Sequence, residues 1–268
     1  MTGLGRDKGP NGELDEAAKK RVLRALGHFA GRLDALGVPP SAVLAATTAA
    51  MREAPDGREF MALIRERTGI ELQVISGEEE AEYVALAQEH SLPEALPILM
   101  IDIGGGSTEV ALRRRGSTDW KTSTPIGSVK ISEAHGTDLD ALSAAAREAT
   151  AHLPPARGPH TVVGVAGTVT TGFSVARSLR VWDPSQVQGK SMTRDEVLQT
   201  ARRLAVMSPG ERRSVPGLPP GRADYIVGGL IILATVMEHY NAMNLRISDR
   251  GVRFGLLWER YPLAVVEG

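Results

Sequence analysis

The sequence predicts a mixed α/β fold, in which helices pack in layers on strands. Apolar residues recur at helical spacing in long segments such as 14–36 and 78–90. Short apolar runs such as 70–75 and 97–103 separate the helical segments. Two of the predicted strands also end in turns of small residues. Such alternation of helices and strands is typical of layered α/β domains.

The boundaries of the elements follow from the residues that stop them. Gly37, soon followed by two prolines, ends the first helix, and Gly69 ends a helix predicted at 58–67. β-Branched residues favour a strand at 70–75, whereas the glutamates that open 78–90 favour a helix because they complement its positive end. The remaining predicted strands are 42–46, 107–112, 161–165 and 245–248, and the remaining predicted helices are 138–151, 193–207, 222–240 and 251–260, with a loop at 207–221.

Composition excludes several classes of protein. The 268 residues carry a net charge of −1 and no cysteine, so a disulfide scaffold, a thiolate metal site and a cysteine nucleophile are excluded. The charge balance does not favour duplex nucleic acid or a membrane surface as a partner. The first residues show no apolar signal core, and the apolar run at 226–237 is too short to span a bilayer. We therefore expect a cytoplasmic, soluble protein.

The segment Asp102-Ile-Gly-Gly-Gly-Ser-Thr-Glu109 is the first candidate for a functional site. A turn without side chains lets backbone N–H groups approach an anion, and the hydroxyls of Ser107 and Thr108 add donors. The carboxylates of Asp102 and Glu109 are the oxygen ligands that Mg²⁺ uses beside phosphate. A glycine-rich β-turn with no ligand is the alternative interpretation.

Two further segments have a functional and a structural interpretation. The turn at 164–168 is either a second grip for phosphate or a small-residue turn that serves packing. We expect the two glycine turns to lie one in each lobe and to face each other across a cleft. The glutamates at 78–80 either form an ordinary acidic first turn capped by Ser76 or supply a general base for water.

Taken together, these motifs resemble one known family. Residues 102–109, preceded by Val-Ile-Ser-Gly-Glu-Glu-Glu-Ala at 74–81, are similar to the exopolyphosphatase/guanosine pentaphosphate phosphatase (Ppx/GppA) family. That family belongs to the actin/hexokinase/heat-shock ATPase superfamily. Further matching segments lie in the same order along the chain, at 48–54, 125–129, 163–171, 216–218, 222–224 and 248–253.

The resemblance implies a two-lobed actin-like ATPase (ribonuclease H-like) fold with the active site in the cleft between the lobes. The first lobe would comprise residues 1–93 and the second residues 94–268, with the last helix packing back on the first lobe. The implied activity is hydrolysis of the terminal phosphoanhydride of inorganic polyphosphate, guanosine pentaphosphate (pppGpp) or both. The implied cofactor is Mg²⁺, and relatives suggest a homodimer.

The resemblance also implies roles for particular residues. Glu80 would orient or deprotonate the attacking water, and Asp102 and Glu109 would hold the metal and water. The expected phosphate-binding residues are Gly104, Gly105, Gly106, Ser107, Gly167, Thr168, Arg52 and Arg222. These roles suit phosphoryl transfer, which depends on positioning and on neutralising charge.

The sequence departs from the family pattern at three places. Family members open with a strand that ends in an Asp-x-Gly-Thr-Asn-Ser phosphate loop, so we expect the first lobe here to lack its opening strands. Gln188 stands where the family often has histidine, and Phe254 where it often has glutamate. A non-catalytic phosphate- or nucleotide-binding regulator and a sugar kinase or ATPase therefore stay open as alternatives, as does the choice of substrate.

Overall fold

The computed structural model describes Leu4, Gly9 and residues 11–261. It confirms the α/β class, with both helices and strands in the chain. The helices are α1 (Glu16–Ala35), α2 (Ala49–Glu53), α3 (Gly57–Thr68), α4 (Gly77–Ser91), α5 (Ser128–His135), α6 (Leu139–Thr150), α7 (Ala166–Ala176), α8 (Arg194–Ala205), α9 (Pro209–Arg213), α10 (Ile226–His239) and α11 (Val252–Arg260). The strands are β1 (Ala46–Thr47), β2 (Gln73–Val74), β3 (Ile98–Ile103), β4 (Thr108–Arg114), β5 (Ser117–Thr124), β6 (Thr161–Val165), β7 (Ser191–Thr193) and β8 (Asn244–Ile247).

The chain forms two compact units, Met1–Glu80 and Ala81–Gly268. The sequence prediction placed the boundary between residues 93 and 94. The difference comes from α4, because Val84 and Ala85 are buried in one cluster with Met100 of β3. Most of α4 therefore belongs to the second unit, although its first turn lies in the first.

The first unit is a small assembly of α1–α3. Asp15 caps α1 by accepting a hydrogen bond from the Ala18 N–H at 2.7 Å, and Gly69, with φ of 69°, ends α3. Strands β1 and β2 pair in parallel but contain two residues each. They are much shorter than the predicted strands at 42–46 and 70–75, and Pro40–Ala42 forms a 3₁₀ turn instead. The core of this unit consists of Leu14, Val22, Met51, Ala54, Phe60 and Ile64.

The second unit is built on one six-stranded sheet in the order β5-β4-β3-β6-β8-β7. Strands β3, β6 and β8 are parallel, and the other pairs are antiparallel. Alternate residues of β3 face opposite sides of the sheet: Leu99 and Ile101 pack in one cluster with α10, whereas Ile98 and Met100 pack in another with α4. Both faces are covered, which explains why the first four residues of β3, Ile98 to Ile101, are apolar and buried.

The last helix packs on α4. The Trp258 ring stacks on the His90 ring at 5.2 Å, and the Tyr83 hydroxyl donates to a Glu259 carboxylate oxygen at 3.0 Å. Gly255 lies against the backbone of Tyr83, where a Cβ would overlap the carbonyl group. Tyr83 and His90 fall within the predicted first lobe, but in the structure they belong to the second unit.

Within the described part of the chain, no helix combines the length and the apolar character that crossing a bilayer requires. The apolar helix α10 has 14 residues and is buried in the second unit, where residues on all of its sides contact other elements.

Candidate active site

Two carboxylates lie side by side at the carboxyl end of β3. In the β3–β4 register, Asp102 is directly opposite Glu109. Cross-strand partners point to the same face of a sheet, so both carboxylates extend from the face that α4 covers, one step beyond Met100 and Ala111. The Ser123 hydroxyl of β5 donates to Glu109 Oε1 at 3.0 Å, which fixes one oxygen of that carboxylate.

Gly105 and Gly106 form the tip of the β3–β4 hairpin. The Gly104 N–H donates to the Ser107 carbonyl at 3.0 Å and closes the turn. The first turn of α5 supports the tip from behind, because the N–H groups of Ser128 and Val129 donate to the Gly104 and Gly105 carbonyls, both at 2.9 Å. Among the described residues, no group accepts a hydrogen bond from the Gly105 or Gly106 N–H. The tip therefore offers free donors to an anion.

Close packing explains most of the glycines around this tip. A Cβ on Gly127 would lie 2.5 Å from the Gly105 carbonyl oxygen, and a Cβ on Gly105 would lie 3.3 Å from Val129 Cγ2. A Cβ on Gly106 would meet no protein atom within 4 Å. At Gly106, unlike at Gly105, no protein atom fills the space that a side chain would occupy.

The second turn adjoins the first. Strand β6 ends at Val165, α7 begins at Ala166 with φ of 63°, and the Thr168 hydroxyl donates to the Ile103 carbonyl at 3.1 Å. This contact ties the start of α7 to the end of β3. The expectation that the turns lie one in each lobe was wrong: both belong to the second unit, since β3 and β6 are adjacent parallel strands that end at the same edge.

Arg222 places a cation on the second turn. Its guanidinium donates to the Gly167 carbonyl and, at 2.5 Å, to the Thr171 hydroxyl. A Cβ on Gly167 would overlap the guanidinium, so only glycine allows this approach. Burial lowers the pKa of Arg222 from its usual range. Within the described residues, its partners are neutral oxygens and no carboxylate pairs with it.

Two of the predicted site residues, Arg52 and Glu80, lie in the first unit. Arg52 Nη1 donates to the Ile75 carbonyl at 2.8 Å, just before α4. Ser76 and Glu79 form a reciprocal capping box, with the Ser76 N–H donating to Glu79 at 2.7 Å and the Glu79 N–H donating to Ser76 Oγ at 3.1 Å. The Ser76 N–H and hydroxyl lower the pKa of Glu79. Of the three glutamates, Glu79 has the capping role, whereas Glu80 is half-buried.

The sequence suggested that the Thr108 hydroxyl would donate to an anion, but the structure shows that it does not. Its side chain is 0% exposed and donates to the Ile126 carbonyl at 2.7 Å. Sequence reasoning missed the support that Ser123, Gly127 and Ser128 give to the hairpin. The matching segment 125–129 was the available signal, but spacing alone did not show that it packs on the glycine tip.

The acidic residues fit Mg²⁺. No cluster of three or more acidic or histidine side chains suited to a metal occurs in the portion described. Asp102 and Glu109 form a pair instead, and Mg²⁺ in phosphate-handling sites is commonly held by one or two carboxylates, water and substrate oxygens. The donor set is therefore suitable for a metal that arrives with a phosphate.

Comparison with known proteins gives concordant results. The sequence model of the Ppx/GppA phosphatase family matches residues 2–263. The chain is 27% identical over 270 residues to the bifunctional 3-dehydroquinate synthase/phosphatase of Fusobacterium nucleatum, a match that covers 96% of this chain. The chain spans 40% of the length of that curated relative.

Solved structures agree with this match. A Ppx/GppA family member from Aquifex aeolicus superposes with a TM-score of 0.83 at 26% identity, covering 97% of this chain and 86% of the other. An exopolyphosphatase-like protein superposes with a TM-score of 0.85, also at 26% identity, covering 97% of this chain and 89% of the other. The chain belongs to the Ppx/GppA phosphatase family.

Proposed function

We propose that the protein is a phosphoanhydride hydrolase that releases the terminal phosphate of inorganic polyphosphate, guanosine pentaphosphate or both. Family membership supports phosphatase chemistry. The observation that carries the proposal is Arg222, a partly buried cation whose described partners are neutral oxygens on the turn beside the glycine hairpin. A buried cation without a counter-ion favours an anionic ligand.

The two turns would hold the phosphate. Free N–H groups at Gly105 and Gly106 would donate to its oxygens, and Arg222 would offset its charge. Ser107 is partly exposed at the end of the hairpin, where its hydroxyl would add a donor. Gly167 and Thr168 contribute indirectly, since Gly167 allows Arg222 to approach and Thr168 holds α7 against β3.

Asp102 and Glu109 would hold Mg²⁺, which when bound supplies positive charge to the phosphate oxygens. Water would attack the terminal phosphorus, the bond from phosphorus to the bridging oxygen would break, and the shortened chain would leave with that oxygen. Glu80 would accept the proton of the attacking water. Arg52 would contribute a further positive charge for the substrate.

To test the role of Glu80, each of the three glutamates in the first turn of α4 is replaced in turn by glutamine. Glu80→Gln should lower kcat for phosphate release by about 10²–10⁴-fold, the range for a general base. Glu78→Gln is the matched control and should retain activity, while Glu79→Gln should mainly weaken the capping box. EDTA should stop turnover and added Mg²⁺ should restore it. Activity that survives Glu80→Gln and fails with Glu78→Gln would refute the assignment of the base.

Binding measurements separate this proposal from the regulator alternative. Titration calorimetry with tripolyphosphate, beside a phosphate-release assay, reports affinity and turnover independently. Tight binding with no release by the protein in Mg²⁺ would favour a non-catalytic phosphate-binding protein. The homodimer stays a prediction, which light scattering on the purified protein tests.

A further inference from the structure

Two arginines that have no role in the proposed chemistry lie at the end of β8, around the start of α11. Arg250 Cζ lies 5.4 Å from the centre of the Phe254 ring and 5.8 Å from that of Trp258. Arg253 Cζ lies 5.1 Å from the centre of the Phe254 ring. Both guanidiniums thus contact the Phe254 ring.

Neither charge is neutralised within the part of the chain that the structure describes. No carboxylate there pairs with Arg250 or Arg253. Glu259, on the same helix as Arg253, accepts a hydrogen bond from the Tyr83 hydroxyl at 3.0 Å instead. Arg253 is exposed and Arg250 is half-buried, so the pair is accessible to an anion.

The arginine pair lies on the same edge and the same face of the sheet as the carboxylate pair. The Ser248 N–H donates to the Gly164 carbonyl at 2.9 Å, so the segment after β8 begins beside the end of β6. Val252 packs on the cluster that contains Met100 and Val165, the face from which Asp102 extends. Strand β8 is two strands from β3, a separation of about 10 Å at usual strand spacing.

We propose that Arg250 and Arg253 form a second phosphate subsite, which binds a phosphate group of the substrate several units away from the one released. The inference rests on the proposed function and extends it to the length of the substrate. We expect a polyphosphate chain, or a guanosine polyphosphate through its second phosphate group, to span from the glycine turns to the pair more readily than a diphosphate. The subsite therefore favours substrates with phosphates spread over more than one position.

The experiment uses the full chain and three variants. Arg253→Ala removes one charge, and Phe254→Glu places a carboxylate at the side chain that both guanidiniums contact. Arg260→Ala is the matched control, because Arg260 is an exposed arginine of the same helix that lies 5.9 Å from the Tyr261 ring at the opposite end. For each protein, KM and kcat are measured with pyrophosphate, long-chain polyphosphate and guanosine pentaphosphate. Calorimetry with long-chain polyphosphate in EDTA measures binding without turnover, and thermal melting checks the fold.

We expect Arg253→Ala and Phe254→Glu to raise KM for long-chain polyphosphate about 5- to 20-fold with little change in kcat, because they remove charge-assisted contacts away from the reacting group. The dissociation constant should rise by the same factor, and pyrophosphate kinetics and Arg260→Ala should stay near wild type. A matching rise for guanosine pentaphosphate would identify its distant phosphates as ligands too, and no change there would assign the subsite to polyphosphate alone.

Two results would overturn the subsite. One is unchanged polyphosphate binding in both variants, and the other is an equal loss for pyrophosphate and polyphosphate, which would place the charges at the reacting group. Failure of the proposed function looks different. Polyphosphate would then bind more weakly to Arg253→Ala than to Arg260→Ala, but none of the proteins would release phosphate in Mg²⁺.

Discussion

Gly105 and Gly106 are neighbours in the hairpin, yet the surrounding protein constrains them differently. Gly105 faces Val129, whereas Gly106 faces open space. A substitution at Gly105 would therefore mix a packing effect with any effect on phosphate. Gly106 is the better position for testing whether the open space belongs to a ligand.

We predict that Gly106→Ala lowers kcat/KM for phosphate release about tenfold or more, because the methyl group would stand beside the N–H groups proposed to contact phosphate. The melting temperature should change little. Gly127→Ala is the packing control: its Cβ would lie 2.5 Å from the Gly105 carbonyl oxygen, and overpacking of this kind costs about 1–3 kcal/mol. If Gly106→Ala retained full activity, the hairpin would be a glycine-rich turn that binds no ligand.

At the scale of the single residue, the sequence indicated which residues pair at the site, but it did not indicate which contacts they make with distant segments. It identified Asp102 and Glu109 as a pair, and the register puts them opposite one another. It could not tell that the Thr108 hydroxyl is buried or that Gly105 is crowded, because both facts depend on the segment 125–129, which is remote in sequence. The functional roles of the site residues stay predictions.

At the scale of the element, α4 is attached to the sheet through a buried ionic cluster. Arg113 of β4, whose side chain is 5% exposed, pairs with Glu82 and, at 2.8 Å, with Glu89. The Thr118 hydroxyl donates to the other Glu82 oxygen at 2.9 Å. One arginine thus joins α4 to both β4 and β5.

We predict that Arg113→Met lowers the free energy of unfolding by about 2–3 kcal/mol. That is less than the loss expected for a fully buried pair, because Glu82 is 44% exposed and water compensates part of the loss. The neighbour Arg114 provides the control: its pair with Asp119 is exposed, and Arg114→Met should cost under about 1 kcal/mol. Urea unfolding measures both, and equal losses would mean that the cluster adds nothing beyond a surface ion pair.

Helix α8 offers a test of pH dependence. The hydrogen bond from Arg177, followed by that from the Thr193 N–H, lowers the pKa of Glu196 below its usual value of 4.5. A lowered pKa in the folded state stabilises the fold above the unfolded pKa, and this contribution is lost as the pH falls through the folded value.

We therefore predict that Glu196→Gln destabilises the protein at pH 7 by under about 1 kcal/mol, since the pair is partly exposed. The difference from wild type should shrink as the pH falls below 4.5. Asp195→Asn removes a charge from the same helical turn without those hydrogen bonds. If Asp195→Asn destabilises the protein as much as Glu196→Gln does, the attraction of any negative charge to the helix N-terminus is responsible, and not the hydrogen bonds of Glu196. Denaturant titrations across this pH range supply the comparison.

Several elements escaped the sequence prediction, each for a physical reason. Strand β5 is polar and alternates between exposed and partly buried residues at the sheet edge, so it shows no apolar run. Helix α7 is rich in glycine and threonine, which disfavour helices, but eight of its residues are buried in the core. Tertiary packing overrides local preference there. Strongly periodic helices such as α1, α3 and α8 lie within a few residues of their predicted positions.

At the scale of the whole molecule, the two units differ in how their backbones are protected. The first unit has a sheet of two strands with two residues each. In the second unit, 12 of the 14 residues of α10 are buried. Short, weakly covered pairings open at low free energy, whereas buried helices open only when most of the structure unfolds.

Native-state hydrogen exchange should therefore divide the chain. Amides of α10 and β3 should exchange only by global unfolding, with a strong dependence on denaturant. Amides of β1 and β2 should exchange by local opening. The free energy of that opening should be several kcal/mol lower than the free energy of global unfolding, which is usually about 5–15 kcal/mol. Equal protection in both units would show that the chain unfolds as one cooperative body.

The support of the glycine tip by the first turn of α5 has a consequence for protein engineering. Residues 102–109 form a contiguous motif, but their shape depends on 126–130, which return to the tip after the whole of β5. Transplanting the eight-residue motif alone into another hairpin would leave the Gly104 and Gly105 carbonyls without the donors that orient the peptide groups. A working graft would have to carry both segments, with glycine at the position of Gly127. The transferable module is thus discontinuous in sequence, although it is compact in space.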